Sequence, residues 1–444
     1  MLIASLVFSW CAAGLIQPQE PENVLVIVAD DVGTNMIGCY GVGARPAPTP
    51  TIDSLAAEGV MFRNAWANPV CTPTRAALMS GRFGFRTGVG NTLEAAGVGL
   101  PLQEITIPEA LDLGGSGYAH AAFGKWHVQD AANGGALSPN WAGFSFYSGF
   151  LDGRFLPPHS YYHWPKTVNG QDLISNAYAT TVNVNDALQW IGAQTGPWLC
   201  YLAFNAAHTP IHEPPPALHS FEQSWGAGIL HNWDFFSRYQ AMIEAMDSEI
   251  GRLLASMDPA VLARTNIIFL SDNGTPKQFM KPPFDSRRAK GTLYEGGVHV
   301  PFIIRGPRVA VPGGVVQAPI CAVDVYSTVL EIAGLDPEAI LPPDLKLDSD
   351  SLLPHLQDPE LPSQRGFAYT EIFGGPELPG RTNGVAIRDG KFKLIRYDSG
   401  TEEYYNLDLD AFEADDILRH LKLNQEEEFH LLKLRLELNT LHGG

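Results

Sequence analysis

The feature that most constrains this chain is a set of short apolar runs, each ending abruptly in polar residues. Val24-Leu25-Val26-Ile27-Val28-Ala29 is continuous, largely β-branched, and stops at Asp30-Asp31. A run without polar alternation leaves no face for water, so it predicts a strand buried on both faces of a parallel sheet. Tyr118 to Phe123 runs into Gly124-Lys125-Trp126-His127, and Trp198 to Phe204 into Asn205-Ala206-Ala207-His208-Thr209-Pro210. Asn266 to Leu270 runs into Ser271-Asp272-Asn273-Gly274, and Val60-Met61-Phe62 is a further candidate strand. Helix patterns over Thr51 to Gly59, Thr181 to Gln194 and Phe235 to Met257 separate these runs, which predicts an α/β fold. In open α/β sheets, ligands gather outside the carboxyl ends of strands, where these polar residues fall. Asp30 and Asp31 would repel one another there unless a cation lies between them or one is protonated. An Asp capping a helix after the strand is the bland alternative.

A second constraint lies in Asn68-Pro69-Val70-Cys71-Thr72-Pro73-Thr74-Arg75-Ala76-Ala77-Leu78-Met79-Ser80-Gly81-Arg82. Pro73 fits the first turn of a helix, where its missing N–H is not needed. Ala76 to Met79 are strong helix formers, and Gly81 offers a stop. Cys71 therefore falls at the mouth of a short helix, with Arg75 one turn below on the same face. Free backbone N–H groups and the helix dipole make that mouth a place for an anion. A nucleophile there, backed by a guanidinium, suits attack on an anionic ester. A small buried cysteine at a helix start is the bland alternative.

The Cys71-Thr72-Pro73-Thr74-Arg75 pentapeptide resembles the Cys-x-Pro-x-Arg signature of type I sulfatases, members of the alkaline phosphatase superfamily. Further blocks follow in that family's order between about Pro21 and Asn406. Asp30-Asp31 resembles its first two metal ligands, Gly124-Lys125-Trp126-His127 its Gly-Lys-Trp-His block, and His208 with Pro210 its His-x-Pro. Lys290 to Pro301 resembles its Lys-x-x-x-x-Glu-Gly-Gly-x-Arg-Val-Pro block, with Glu295 and the Gly pair shaping a turn. His299 stands where that block has Arg, which puts any ion pair from the position in doubt.

The resemblance implies an alkaline-phosphatase-like large mixed sheet flanked by helices, with a smaller C-terminal α+β domain containing an antiparallel sheet and a helix. It implies that a formylglycine-generating enzyme or anaerobic maturase oxidises Cys71 to formylglycine, whose hydrate is the nucleophile. Lys125, His208 and Lys290 would then bind sulfate, Arg75 would help hold the hydrate, and His127 would hydrogen-bond the nucleophile and take its proton. His208 or Lys290 would protonate the leaving alcohol. The implied metal ligands are Asp30, Asp31, Asp272 and Asn273, with Cys71 in its modified form. Apart from Cys71 the side chains are oxygen donors, which suits Ca²⁺, with Mg²⁺ as the alternative, better than Zn²⁺.

The remainder bounds the setting. A net charge of −19 argues against a nucleic acid or stable anionic-membrane partner, so an anionic substrate must be drawn by a local basic cluster. Outside the leader and the signature, Cys39, Cys200 and Cys321 form no disulfide framework. Met1 to Gln19 carries an apolar run and then Ala12-Ala13-Gly14, as in a secretory signal. Residues 1–19 are thus expected to be a signal peptide, and the protein to be exported, to a bacterial periplasm or the exterior. A catalytic domain is expected over 20–340 and a smaller one over 341–444. In the latter, Val385 to Arg388 and Lys391 to Ile395 flank Asp389-Gly390 as a hairpin, Tyr404 to Leu407 is a strand, and Glu426 to Leu441 is a helix covering the sheet. Asn140 to Asn169, rich in Gly, Pro, His and aromatics, is expected to be a loop, either packed on the surface or stacking on sugars.

The expected activity is hydrolysis of sulfate esters, on a sulfated small molecule or glycan. Two alternatives stand beside it. A phosphonate monoester or phosphodiester hydrolase of the same superfamily could share the nucleophile and single metal. A sulfated-glycan binder would never mature its cysteine, but mere binding needs no histidine beside a nucleophile.

Overall fold

The computed structural model describes residues 22–221, 232–375 and 383–443. The leader, and the signal peptide expected there, lie outside the described residues. Strands β1 (Asn23–Ala29), β2 (Val60–Trp66), β3 (Ala119–Lys125), β4 (Phe146–Phe150) and β5 (Trp164–Val168) belong to one ten-stranded sheet. It also contains β6 (Gln171–Ser175), β7 (Trp198–Ala203), β8 (Thr265–Ser271), β9 (Phe302–Arg305) and β10 (Gly314–Cys321). The order is β10-β2-β9-β8-β1-β7-β3-β4-β5-β6. β8, β1, β7, β3 and β4 run parallel through its centre. β9 is antiparallel to both β8 and β2, so β2 points the same way as the central block. The mixed sheet is the architecture expected from the sequence.

The continuous apolar runs behave as double-sided burial requires. In β1, Val24, Val26 and Val28 enter one hydrophobic layer, while Leu25, Ile27 and Ala29 enter the layer on the opposite face. The first layer is closed by the helices Cys71–Ser80, Ile107–Leu113 and Val325–Ile332. The second is closed by Ala179–Ile191 and by Asn232–Ser256, whose Tyr239, Met242, Ile243, Met246, Ile250 and Leu253 are buried. Among the described residues no helix is long and apolar enough to cross a membrane, and Cys39, Cys71, Cys200 and Cys321 are free thiols.

The segment expected to be a loop over Asn140 to Asn169 contains β4 and β5, which extend the large sheet beyond β3. Phe155, Tyr161 and Trp164 fill the core beneath them, so Tyr161 and Trp164 are not free to stack on a sugar. The buried aromatics there serve sheet packing.

Strands β11 (Ala368–Ile372), β12 (Gly384–Arg388), β13 (Phe392–Tyr397) and β14 (Glu402–Asn406) form a second, antiparallel sheet. The helix Gln425–Gly443 buries Leu431, Leu434 and Leu438 in that sheet's core and leaves Leu432 and Leu436 exposed. The strand-like alternation of leucines from 432 to 438 thus resolves at helical spacing. The two sheets are joined through a buried charge cluster. Lys393 of β13 lies 3.1 Å from Glu295 and 2.7 Å from Glu413, and 4.7 Å from the centre of the Trp66 ring at the end of β2. Arg388 adds a contact to Glu295 at 3.4 Å, and His299 Nδ1 one at 3.6 Å. Glu295 is therefore an anchor for the second sheet rather than only a turn residue. Burial holds the His299 imidazole below its usual pKa, so the charge that Glu295 meets comes from Lys393 and Arg388. Removing one member of such a cluster strands the others without compensation. Lys393→Ala is expected to lower unfolding stability by about 3–5 kcal/mol, read from the midpoint of urea denaturation at unchanged slope.

Candidate active site

The site is assembled by register. Val28 of β1 is paired with both Leu270 of β8 and Ala203 of β7, and Ala203 with Gly124 of β3. The residues that follow on each strand therefore emerge in one layer at the carboxyl edge, which is where Asp30, Asp31, Lys125, His127, His208, Asp272 and Asn273 lie. Asp31 and His127 both adopt left-handed backbone, at φ 65° and 57°. Side chains other than Gly pay for that conformation, and such residues concentrate where function fixes a direction.

Cys71 is the first residue of the wholly buried helix Cys71–Ser80, after an extended Val70. Asn68 N–H donates to Thr74 Oγ1 at 2.9 Å, which closes the turn into that helix. Cys71 Sγ lies 3.2 Å from His127 Nδ1, and Thr72 Oγ1 lies 3.4 Å from the same nitrogen. Burial raises the Cys71 thiol, but Lys125 and His127 outweigh it and bring it to about 6. Burial opposes a charged His127, yet Cys71 and the hydrogen bonds to Cys71 and Glu94 raise its pKa.

Arg75 sits one turn below Cys71, as expected, but its hydrogen bonds run elsewhere. Nε and Nη2 donate to Asp272 Oδ2 at 3.0 and 2.7 Å, and Nη1 to the Lys125 carbonyl at 2.9 Å. The guanidinium thus ties the end of β8 to the end of β3. Lys125 Nζ donates to Asp30 Oδ2 at 2.6 Å, and Lys290 Nζ donates to Asp31 Oδ1. His208 Nε2 lies 3.7 Å from Asp31 Oδ2. Asn273 Nδ2 donates to Asp31 Oδ1 at 2.8 Å, and Asp272 Oδ1 accepts from the Asp31 N–H at 3.3 Å. Asp30, Asp31, Arg75, Lys125, His208, Asp272, Asn273 and Lys290 therefore form one cluster, with the Cys71–His127 pair beside it.

The cluster carries the donors of a hard-cation site. Asp30 Oδ1 and Asn273 Oδ1 are buried with no hydrogen-bond partner, which strands two oxygen acceptors where the three carboxylates converge. Burial, with Asp272 and Asp31 alongside, holds Asp30 well above the usual carboxylate range despite Lys125. Asp31 is held low, because Lys290, His208 and Asn273 outweigh its burial. Ligand atoms of Asp30, Asp31 and His208 lie within 4.8 Å of one another, so a divalent cation fits this oxygen-rich corner. Burial, reinforced by Lys290 and Lys125, lowers His208 to about 3, so its imidazole is neutral at neutral pH.

Three supporting residues carry no sequence signal. Tyr239 O–H donates to the Asp31 carbonyl at 2.5 Å, from within a helix whose apolar stripe reads only as core. Tyr161 O–H donates to the Asn205 and His208 carbonyls, at 2.5 and 2.8 Å, and so fixes the His208 turn. Its ring packs 4.1 Å from that of the half-buried His212, whose Nε2 lies 3.2 Å from Tyr178 Oη, so His212 is held by these two tyrosines. Glu94, on the short helix Leu93–Ala96, places both carboxylate oxygens 3.3 Å from His127 Nε2.

A cation bound to N but not to the unfolded chain stabilises the fold by about 2.7 kcal/mol at 100 times its dissociation constant. Chelation is therefore expected to lower the melting temperature, and a divalent cation to restore it. The double variant Asp30→Asn with Asp31→Asn should not respond, which scanning fluorimetry can check.

Residues 22–335 match the sulfatase family model, and residues 284–440 match the N-sulphoglucosamine sulphohydrolase C-terminal model. The chain is 31% identical to N-acetylgalactosamine-6-sulfatase of Sus scrofa, over 82% of this chain and 71% of that one. It is 30% identical to arylsulfatase A of Homo sapiens, over 88% and 77%. Its structure superposes on that of Ps i-CgsB in complex with k-i-k-neocarrahexaose with a TM-score of 0.78 at 25% identity, covering 95% and 93% of the two chains. A second match is BT4656 in complex with D-glucosamine-2-N,6-O-disulfate, with a TM-score of 0.74 at 21% identity, covering 95% and 98%.

Proposed function

The chain belongs to the sulfatase family, and from that premise we propose that it hydrolyses sulfate esters of carbohydrates at the Cys71 cluster. One observation carries the proposal. Cys71 opens a helix 3.2 Å from His127, while Lys125, Lys290 and His208 converge on the carboxylates beside it. Three nitrogen donors held on two neighbouring carboxylates suit a tetrahedral anion, whose charge they would meet in a largely buried site. Relatives named for N-acetylgalactosamine-6-sulfatase activity, and neighbours holding a neocarrahexaose or a glucosamine disulfate, support a sulfated sugar as substrate.

Each residue has a task in this scheme. Lys125, Lys290 and His208 bind the sulfate oxygens, and Arg75 keeps Asp272 and the end of β3 in place. His127 holds its Nδ1 at the nucleophile, where it accepts a proton. His208 or Lys290 delivers a proton to the leaving alcohol; a bound anion beside His208 favours its charged form. Asp30, Asp31, Asp272 and Asn273 would hold a cation, Ca²⁺ on the chemistry of the donors with Mg²⁺ as the alternative, which supplies Lewis-acid stabilisation of negative charge. Conversion of Cys71 to formylglycine by a maturation enzyme supplies a hydrated aldehyde, with paired hydroxyls that a thiol lacks. The apolar leader supports export to a periplasm or the exterior, with 20–340 as the catalytic domain and 341–444 as the smaller one.

The test is release of inorganic sulfate and phosphate from sulfated glycans, aryl sulfates and phosphodiesters, with the protein co-expressed with a maturation enzyme. Sulfate is expected from at least one glycan, with turnover falling on the order of 10³-fold or more in Cys71→Ala. Phosphate release alone would assign the chain to the phosphoester hydrolases instead.

A further inference from the structure

His127 is gripped at both ring nitrogens. Nδ1 faces Cys71 Sγ at 3.2 Å, and Nε2 faces both Glu94 oxygens at 3.3 Å. A carboxylate only accepts hydrogen bonds, so this contact requires the proton of a neutral His127 to sit on Nε2. Nδ1 is then left bare, toward the nucleophile. An imidazole that must accept a proton at one nitrogen needs its other nitrogen fixed as a donor, or part of its neutral population carries the wrong tautomer.

The surroundings of Glu94 are built for that contact. Gly153 lies against the pair, and a Cβ there would stand 2.5 Å from His127 Nε2 and 2.8 Å from Glu94 Oε1. Any side chain at 153 would therefore separate carboxylate from imidazole. The segment leading to Glu94 is itself held. Gly90 O accepts from the Phe373 N–H at 3.0 Å, and Asn91 Oδ1 accepts from the Thr92 N–H at 2.9 Å. Asp152, the other carboxylate nearby, instead accepts from Gln129 Nε2 at 3.0 Å. Glu94 remains about half exposed, at 56%, so its place beside His127 is not forced by core packing.

We infer that Glu94 is a positioning residue for His127, fixing the tautomer and ring orientation that leave Nδ1 free to take a proton at residue 71. The inference rests on the proposed role of Cys71 as the nucleophile's position. When Nδ1 accepts the proton, both nitrogens carry hydrogens, and the Glu94 carboxylate offsets the charge that forms at the ring.

Two measurements test it. In the matured enzyme, Glu94→Ala is expected to lower kcat by about 10–100-fold, as losses of orienting partners do, with KM little changed. Glu94→Gln can turn either its amide oxygen or its N–H₂ to Nε2 and carries no charge, so it is expected to recover little of that loss. Independently of turnover, ¹⁵N shifts of His127 at a pH where it is neutral should show Nε2–H alone in the wild type and mixed tautomers in Glu94→Ala. Unchanged kcat in Glu94→Ala, a loss confined to KM, a Gln variant as active as the wild type, or unaltered tautomers would each overturn the inference. A wild type that releases no sulfate would defeat the proposed function instead, and the tautomer measurement would still decide the role of Glu94.

Discussion

Three carboxylates, Asp30, Asp31 and Asp272, are buried within hydrogen-bonding reach of one another's strands, and the rest of the site exists in a form that makes this tolerable. Isolated buried carboxylates would take up protons or disrupt the fold. Here each meets a cationic side chain: Asp30 meets Lys125, Asp31 meets Lys290, and Asp272 meets Arg75. These pairs offset much of the charge inside the cluster before any ligand arrives, although burial and the neighbouring acids still hold Asp30 above the usual carboxylate range. A divalent cation added to that balance leaves a local excess of positive charge, which would draw an anionic ester into a protein whose net charge is −19. The same residues would then serve in turn as counter-ions to the acids and as donors to the substrate.

That cluster depends on sheet geometry. A parallel block brings the ends of β8, β1, β7 and β3 to one edge, and β9, by reversing direction, lets β2 deliver the turn before Cys71 to the same edge. The second sheet does not supply the acids, yet it is held to the first by Lys393, placed between Glu295, Glu413 and the Trp66 ring. Trp66 ends β2 and Glu295 lies five residues after Lys290. The link therefore braces the two segments that carry Cys71 and Lys290.

Much of this was legible in the sequence, for identifiable reasons. Val24 to Ala29 could be nothing but a doubly buried strand, and Cys71-Thr72-Pro73 could open a helix because proline's missing N–H costs nothing there. The polar residues closing each run were visible as a set, and the structure brings them together. What was not legible depends on contacts between distant segments. Arg75 lies where spacing put it, but only the fold shows its donors turned to Asp272 and the Lys125 carbonyl. Asn140 to Asn169 looked like a loop because aromatic and histidine residues obscure the short strands β4 and β5, and Tyr161 turned out to hold the His208 turn. Glu94 stands in a stretch of Gly, Ala and Leu with no pattern of its own, and its meaning arises only from the 3.3 Å approach to His127. The leucines alternating from 432 to 438 mimic a strand, but the length of the segment pointed to the helix that forms, and the fold adds only that Leu431, Leu434 and Leu438 share its buried face.

In the proposed function this cluster works on sulfate through an aldehyde made from Cys71. The most direct measurement is the peptide mass around residue 71, taken from the same preparation whose sulfate release is assayed. Activity across preparations is expected to scale with the fraction of chains carrying the aldehyde or its hydrate at that position. Full sulfate release from protein whose residue 71 is wholly an unmodified cysteine would contradict it.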